Sequence, residues 1–499
     1  MRSAVVLGGS YAGLLAARVL SDHADEVVVL EPDDFRNGDA RRGAPHRDQL
    51  HALLAMGHTQ LERWFPGVTD ELVAGGACLG TGRAIQYYVD GMRRPDVPDA
   101  RMLGASRPFV EDLMRRRVRA LPNVTMRVGR ARDLRFTGTR VSGVNYTTAS
   151  DATAGDHWLD ADLVVDAMGR SSRLGTWLMK HGWDQAPCTR MKVDLGYATA
   201  HFRRGNELPD TVVAHASPGP ATAYDYRKAS IEPAAITALE GNRWGVVLAA
   251  YTDYRPGTDP HEFTERMINS VAPIREVAEK CAMVSEVSTF HFRESQRRDF
   301  TALNRFPGGL VAIGDAVASV NPIYGQGLTV AALEASALSA YLRTGTSPHA
   351  AAWGYFRRAA VIVNAAWRLS ATADLAQPHV ADHRPRGYRM TRWAGDKLLE
   401  ASVLDPTVNA AFMNVMHMRE HPRLLSQPRI LLAAARALAD RARQRRTTPD
   451  STRAPRKQTH SAPASNYGAP ALHNALSFWS EPNFTGKPHR AEGGSEDPG

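Results

Sequence analysis

Gly8, Ser10 and Gly13 stand in the frame G-x-S-x-x-G, directly after a short apolar run and at the opening of a stretch with helical spacing. Each small residue has a physical use in that setting. Gly8 permits a tight turn, Ser10 lets the backbone approach a pyrophosphate, and Gly13 lets the helix pack on the strand, with Gly9 and Ala12 completing the loop. The helix start then turns unpaired N–H groups and the positive end of its dipole toward the phosphates. Glu31 closes the next apolar run 18 residues after Gly13, near the spacing at which a carboxylate takes the hydroxyls of an adenosine ribose without a 2′-phosphate. The chemistry expected is dinucleotide binding. A glycine loop alone is also what an ordinary strand–turn–helix shows, so other segments must decide.

Two segments bear on it. In GGLVAIGDAVASVNPIYGQGLTVAALEA, Gly314 and Asp315 end an apolar run, with Asp315 placed to bond a ribityl hydroxyl. Pro322 and the Gly325-Gln326-Gly327 turn, continued by Leu328, then bring backbone N–H groups and a helix start toward whatever lies beyond. In DLVVDAMGRSSR, residues 162 to 173, Asp166, Gly169 and Arg170 follow another buried-strand pattern.

These three segments, in this order, resemble the flavin-binding segments of the single-Rossmann flavoprotein monooxygenases, the class of para-hydroxybenzoate hydroxylase. Within that class the chain resembles the bacterial polyketide epoxidases that prepare polyether backbones, over about residues 3 to 340. The resemblance is carried by VVLGGSYAGLLAARVL, by RRGAP from Arg41 to Pro45 with His51, by Ala105-Ser106-Arg107-Pro108, by DLVVDAMGRSSRL and by GDAVASVNPIYGQG. It implies noncovalent FAD held by Gly8, Gly9, Ser10, Ala12, Gly13, Glu31, Arg41, Arg107, Asp166, Gly169, Asp315, Gly327 and Leu328. It implies a reacting space shaped by Pro322, Gly325, Gln326 and Gly327, where one oxygen atom from O2 passes through a flavin C4a-hydroperoxide to a hydrophobic small molecule. Electrons would come from NAD(P)H or a partner flavin reductase. Where that family usually has Pro-Gln and a pair of histidines, this chain has Pro45-His46 and keeps only His51, with Gln49 near the other position. That leaves a substrate-side role for the loop open.

Transfer of oxygen to an alkene needs no obligatory base, whereas ring hydroxylation of a phenol gains from removal of the phenolic proton. The sequence offers no clear base. The expected activity is therefore epoxidation of an alkene in a polyketide or terpenoid, with aromatic hydroxylation and oxygen-independent FAD-dependent reduction as alternatives. The Trp-x-Trp-x-Ile-Pro signature of flavin halogenases is missing, which argues against halogenation.

The elements that must position these residues read as an α/β chain. A Rossmann-type (glutathione-reductase-like) FAD-binding domain is expected over residues 1–179 and 299–345. An inserted antiparallel β-sheet substrate domain is expected over 180–298, where alternating segments such as Leu195 to Phe202 and Trp244 to Tyr251 are separated by Gly, Pro and Asn. Residues 346–445 read as a helical region, and 446–499, rich in Pro, Ser, Thr and Gly with few aliphatics, as a largely disordered tail.

Composition excludes several classes. Cys78, Cys188 and Cys281 lack metal-ligand or C-x-x-C spacing, so neither a zinc site nor a disulfide framework is expected. Eight basic residues against two aspartates in residues 430–457 carry six of the nine excess positive charges, so a nucleic-acid footprint over the chain is not supported. No apolar run is long enough to span a bilayer, and no cleavable leader precedes the first strand; a cytoplasmic location is the expectation.

Overall fold

The computed structural model describes residues 1–34, 46–148, 157–220 and 231–447. The expected tail, Arg41 and Pro45 lie outside the described residues, apart from the first two tail residues, which end a helix.

The strands Ser3–Leu7, Glu26–Glu31, Val124–Val128, Leu163–Asp166 and Leu310–Ala312 form a five-stranded parallel sheet. Their order places Ser3–Leu7 at the centre, flanked by Glu26–Glu31 and then Val124–Val128 on one side and by Leu163–Asp166 and then Leu310–Ala312 on the other. The central strands are apolar on both faces because both are covered, which is why they read as unbroken runs and not as alternations. Tyr11–Leu20 covers one face and packs on the helix Gly327–Leu342. The latter is apolar around most of its circumference because Ala55–Trp64 and Trp353–Asp374 also pack on it. All the sheet's strands run the same way, so the turns after Leu7, Asp166 and Ala312 meet at one edge.

The second lobe is an eight-stranded sheet. Its core is antiparallel, with Cys188–Arg203 between Ser288–Arg298 and Arg243–Tyr251, continued by Ala234–Leu239 and Val213–Ser217. The sheet does not stay within residues 180–298. Ile85–Val89 pairs parallel with Val213–Ser217, Met92–Arg93 pairs beyond it, and Ala318–Ser319 closes the other edge. Ile85–Val89 and Met92–Arg93 form a hairpin around Asp90 and Gly91, both at positive φ, and nothing local says which sheet that hairpin joins.

Period-2 alternation divides this sheet's side chains between two faces. Ala198, Ala200 and Phe202, with Trp244, Val246 and Leu248, pack against Phe263 and Ile274 of the helices Pro260–Ile268 and Ala272–Lys280. Leu195, Tyr197, Ala249 and Tyr251 face the opposite way. The helices Tyr388–Ser402, Pro406–Met416 and Pro428–Thr447 form a separate apolar cluster and close that opposite side at its far end.

Candidate flavin and substrate cavity

One cavity of about 1090 Å³ runs from the glycine loop to the C-terminal helices. Gly8, Ser10, Ala12 and Glu31 line one end of it, and Gly169, Asp315, Gly327 and Leu328 its middle.

Gly8 sits at φ 106°, in the left-handed region that only glycine enters freely, and a Cβ there would lie 2.6 Å from the carbonyl oxygen of Ala167. A Cβ on Gly13 would lie 1.8 Å from the oxygen of Gly8. The loop is thus pressed between the helix it opens and the turn after Leu163–Asp166. Glu31 is buried, and its Oε2 accepts the N–H of Gly9 at 2.6 Å while Oε1 accepts that of Asp33 at 3.2 Å. The Ser10 side chain does not cap the helix it precedes. Instead Glu111 Oε1 accepts the N–H of Tyr11 at 3.2 Å.

Glu111 also holds Arg107, at 2.8 Å from Nε. Ser106 caps the helix Arg107–Arg119 by accepting the N–H of Phe109, and Pro108 suits its first turn, so Arg107 emerges at the helix start beside the cavity. Its Nη1 lies 3.1 Å from His46 Nε2 and 3.0 Å from His51 Nε2. His51 Nδ1 lies 2.7 Å from the carbonyl of Gln49 and must donate, which leaves Nε2 as the acceptor for Arg107. Burial and the adjacent guanidinium push His46 down to about 4 and His51 well below its ordinary value, so both are neutral acceptors at physiological pH. The two histidines orient Arg107.

The turn after Leu310–Ala312 carries Asp315. Burial raises its carboxyl, opposed by Arg107 and Arg170. Arg170 lies over the ring of Phe292 at 4.7 Å and donates to the carbonyl of Glu294 at 2.8 Å. Gly314, at φ 66°, donates its N–H at 2.5 Å to Oε2 of Glu334 on the helix Gly327–Leu342. Glu334 is wholly buried and its carboxyl is pushed well above the usual range by burial.

Pro322–Tyr324 forms a single tight turn capped by the Asn321 side chain, which accepts the N–H of Ile323 at 3.0 Å. Gly325 follows at φ 66° and Gly327 opens the long helix. A Cβ on Gly327 would meet no protein atom within 4 Å, although Gly327 lines the cavity. Bare backbone facing open space at a helix start is the cradle a planar ring with an anionic edge requires.

The structure brings Gly8, Ser10, Ala12, Glu31, Arg107, Gly169, Asp315, Pro322, Gly325, Gly327 and Leu328 to one cavity wall. It sets four expected residues apart, the first being Gly9, whose N–H is taken by Glu31 Oε2. Asp166 is wholly buried and accepts from the Met168 N–H and the Ser172 hydroxyl, so it shapes the turn that presents Gly169. Gly13 serves packing. Gln326 turns its side chain into the protein, where neither amide atom has a partner among the described residues. Glu111 and Glu334 were not foreseen. The i,i+4 spacing of Arg107 and Glu111 is a signal that was available, whereas Glu334 looks like any glutamate in a helix.

Tyr324 and Tyr251 line the middle of the cavity beside a buried carboxyl. Asp374 Oδ1 accepts from Asn321 Nδ2 at 2.8 Å and from the Tyr324 hydroxyl at 3.3 Å, while Oδ2 has no partner among the described residues. Burial pushes this carboxyl up to about 7. Among the described residues no helix is long and apolar enough to cross a membrane, and no group of three His, Cys, Asp or Glu is placed to hold a metal ion.

No family model matches the chain. It is 30% identical over 430 residues to Protein Rv3254 of Mycobacterium tuberculosis, covering 82% of this chain and 88% of that protein. Its fold is shared with the flavin-dependent brominase Bmp2 (TM-score 0.61, 14% identity, 88% of this chain and 99% of that one). The same holds for p-nitrophenol 4-monooxygenase PnpA from Pseudomonas putida DLL-E4 (TM-score 0.57, 16% identity, 84% and 98%). It holds also for PqsL, a probable FAD-dependent monooxygenase from Pseudomonas aeruginosa (TM-score 0.55, 16% identity, 79% and 99%). At these identities the likeness is one of fold.

Glu334 gives a direct test of the turn that carries Asp315. Glu334→Gln keeps an acceptor for the Gly314 N–H and removes an ionisable group whose folded-state value is raised, so it should be no less stable at pH 7 and above. Glu334→Leu strands that N–H and should cost about 1–3 kcal/mol in urea unfolding. Equal stability of the two variants would show that the contact does not hold the turn.

Proposed function

The chain belongs to the family of Protein Rv3254 of Mycobacterium tuberculosis, and for this member we propose an FAD-dependent monooxygenase that acts on a large apolar organic molecule, epoxidation of a polyketide or terpenoid alkene being its finer activity. The observation that carries the reading is the wall on which the glycine loop with Glu31, the Asp315 turn and the bare backbone at Gly327 face one cavity. The donor set fits the cofactor. Gly8 to Gly13 and Glu31 would hold the pyrophosphate and adenosine ribose, Arg107, Gly169 and Asp315 the ribityl chain, and the N–H groups at Gly327 and Leu328 the ring's carbonyl edge. When bound and reduced, FAD supplies the activation of O2 that oxygen transfer requires.

The chain's own residues have three tasks. Gly325 and Gly327 leave room at the helix start. The helix N–H groups offset negative charge on the edge they face. Tyr197, Tyr251, Phe290 and Phe292 line the space beside them and keep water from it. Reducing equivalents would come from NAD(P)H or a partner flavin reductase.

One observation favours a second reading, hydroxylation of a phenol. A proton leaving a substrate hydroxyl can pass to the Tyr324 oxygen as the Tyr324 proton moves along its hydrogen bond to Asp374 Oδ1.

Oxygen uptake matched one-for-one by oxygenated product, measured with alkene and phenol panels, is the expected result, and turnover without oxygen would remove the monooxygenase reading. Gly327→Val should lose flavin or release free hydrogen peroxide in place of product.

Asp374→Asn separates the two activities. On a phenol it should slow turnover by roughly 10²–10⁴-fold, the range of a lost general base, and on an alkene leave it unchanged. The same variant should gain stability above pH 7. The wild-type carboxyl, at about 7 folded against an ordinary 3.8, bears its full cost of ionisation there, and that cost is relieved as pH falls through 7 toward 4. A phenol rate unmoved by Asp374→Asn would leave epoxidation as the reading.

A further inference from the structure

The cavity's far end holds a buried cation that has no counter-ion among the described residues. Arg94 is buried, lines the cavity, and has no carboxylate partner among the described residues. Its Nη1 meets Met413 Sδ at 3.0 Å, its Nη2 meets the Ser402 hydroxyl, and its guanidinium lies over the Phe412 ring at 4.5 Å. Nη1 and Nη2 each have a partner, whereas Nε has none among the described residues. Burial lowers Arg94 to about 10, and the one group that acts to restore it is Tyr87, a neutral phenol.

Among the described residues the surroundings offer no unpaired negative charge either. His417 Nδ1 accepts the N–H of Ala55 at 3.3 Å, so its proton sits on Nε2, facing the Tyr87 oxygen at 3.3 Å, and the Tyr87 hydroxyl donates to Met102 Sδ at 3.2 Å. His215 stands 5.8 Å from the Tyr87 ring, and Arg94 and burial hold it at about 4. The acid on that wall, Asp396, is paired with Arg392 at 2.7 Å. A charge taken out of water without a partner is among the costliest features a protein can keep, and an apolar residue of the same size would fill the site at less cost.

We propose that Arg94 is the seat for an anionic group of the ligand, a carboxylate or similar oxyanion at the end of an apolar body, and that this seat sets which carbon reaches the Pro322–Gly327 loop. The guanidinium fork matches two anionic oxygens, His215 adds a neutral donor beside it, and Met102, Phe412 and Met416 form an apolar sleeve around the approach. The proposal takes the cavity as the substrate's, as above. Its test reads binding and not turnover.

The test uses two fluorescent probes with the same rings, anionic 8-anilinonaphthalene-1-sulfonate and neutral N-phenyl-1-naphthylamine, titrated into the full chain with and without added FAD. The wild type should prefer the sulfonate by about tenfold or more, the worth of a buried hydrogen bond to a charged group. Arg94→Met should lose that preference while its affinity for the neutral probe stays as in the wild type. Arg94→Lys, which keeps the charge but not the fork, should fall between them, and it decides if the methionine variant does not fold. Equal binding of both probes by the wild type, a preference that survives in Arg94→Met, or undiminished selectivity in Arg94→Lys would overturn the assignment. If FAD alters neither titration, the cofactor reading is in question while the Arg94 result stands by itself.

Discussion

Three buried carboxyl groups hold the turns on which the site depends. Glu31 accepts the N–H of Gly9, Glu111 that of Tyr11, and Glu334 that of Gly314. Each of these N–H groups lies at a bend or a helix start, and each would carry a desolvation cost if left unmet. The arrangement links distant parts of the chain. Glu111 ties the first helix to Arg107, and Glu334 ties the last strand of the parallel sheet to the helix that starts at Gly327. The cavity wall is rigid where bends would otherwise be free.

A second constraint is the division of the eight-stranded sheet between a packed face and a cavity face. Trp244 and Phe202 belong to the first, Tyr197, Tyr251, Phe290 and Phe292 to the second or its rim. The same cavity gathers polar groups of two kinds. Near the glycine loop, Arg107 is held by Glu111, His46 and His51. Arg94, at the opposite end, has no carboxylate partner among the described residues.

How much of this was legible follows from which interactions are local. The glycine loop, the strand at 162–166 and the Asp315 turn were readable because backbone geometry restricts each position to few residue types: Gly8 at positive φ, Gly13 against Gly8 and Gly325 at the turn. The parallel sheet was readable because burial on both faces leaves unbroken apolar runs. The recruitment of Ile85–Val89 to the second sheet was not, since pairing with Val213–Ser217 across more than a hundred residues leaves no local trace. Asp374 as a proton acceptor was hidden for the same reason. Its value depends on Asn321 and Tyr324, fifty or more residues before it.

The central claim is that the glycine loop, Glu31 and the Asp315 turn hold a flavin dinucleotide. The measurement that meets it most directly is reconstitution of the purified full chain with FAD and with FMN in parallel, followed by desalting, denaturation and identification of the released flavin. The account predicts equimolar FAD, released without a covalent link, no retention of FMN, and weakened FAD retention in Glu31→Ala. Retention of FMN in place of FAD, a covalent flavin, or a chain that keeps neither would contradict it.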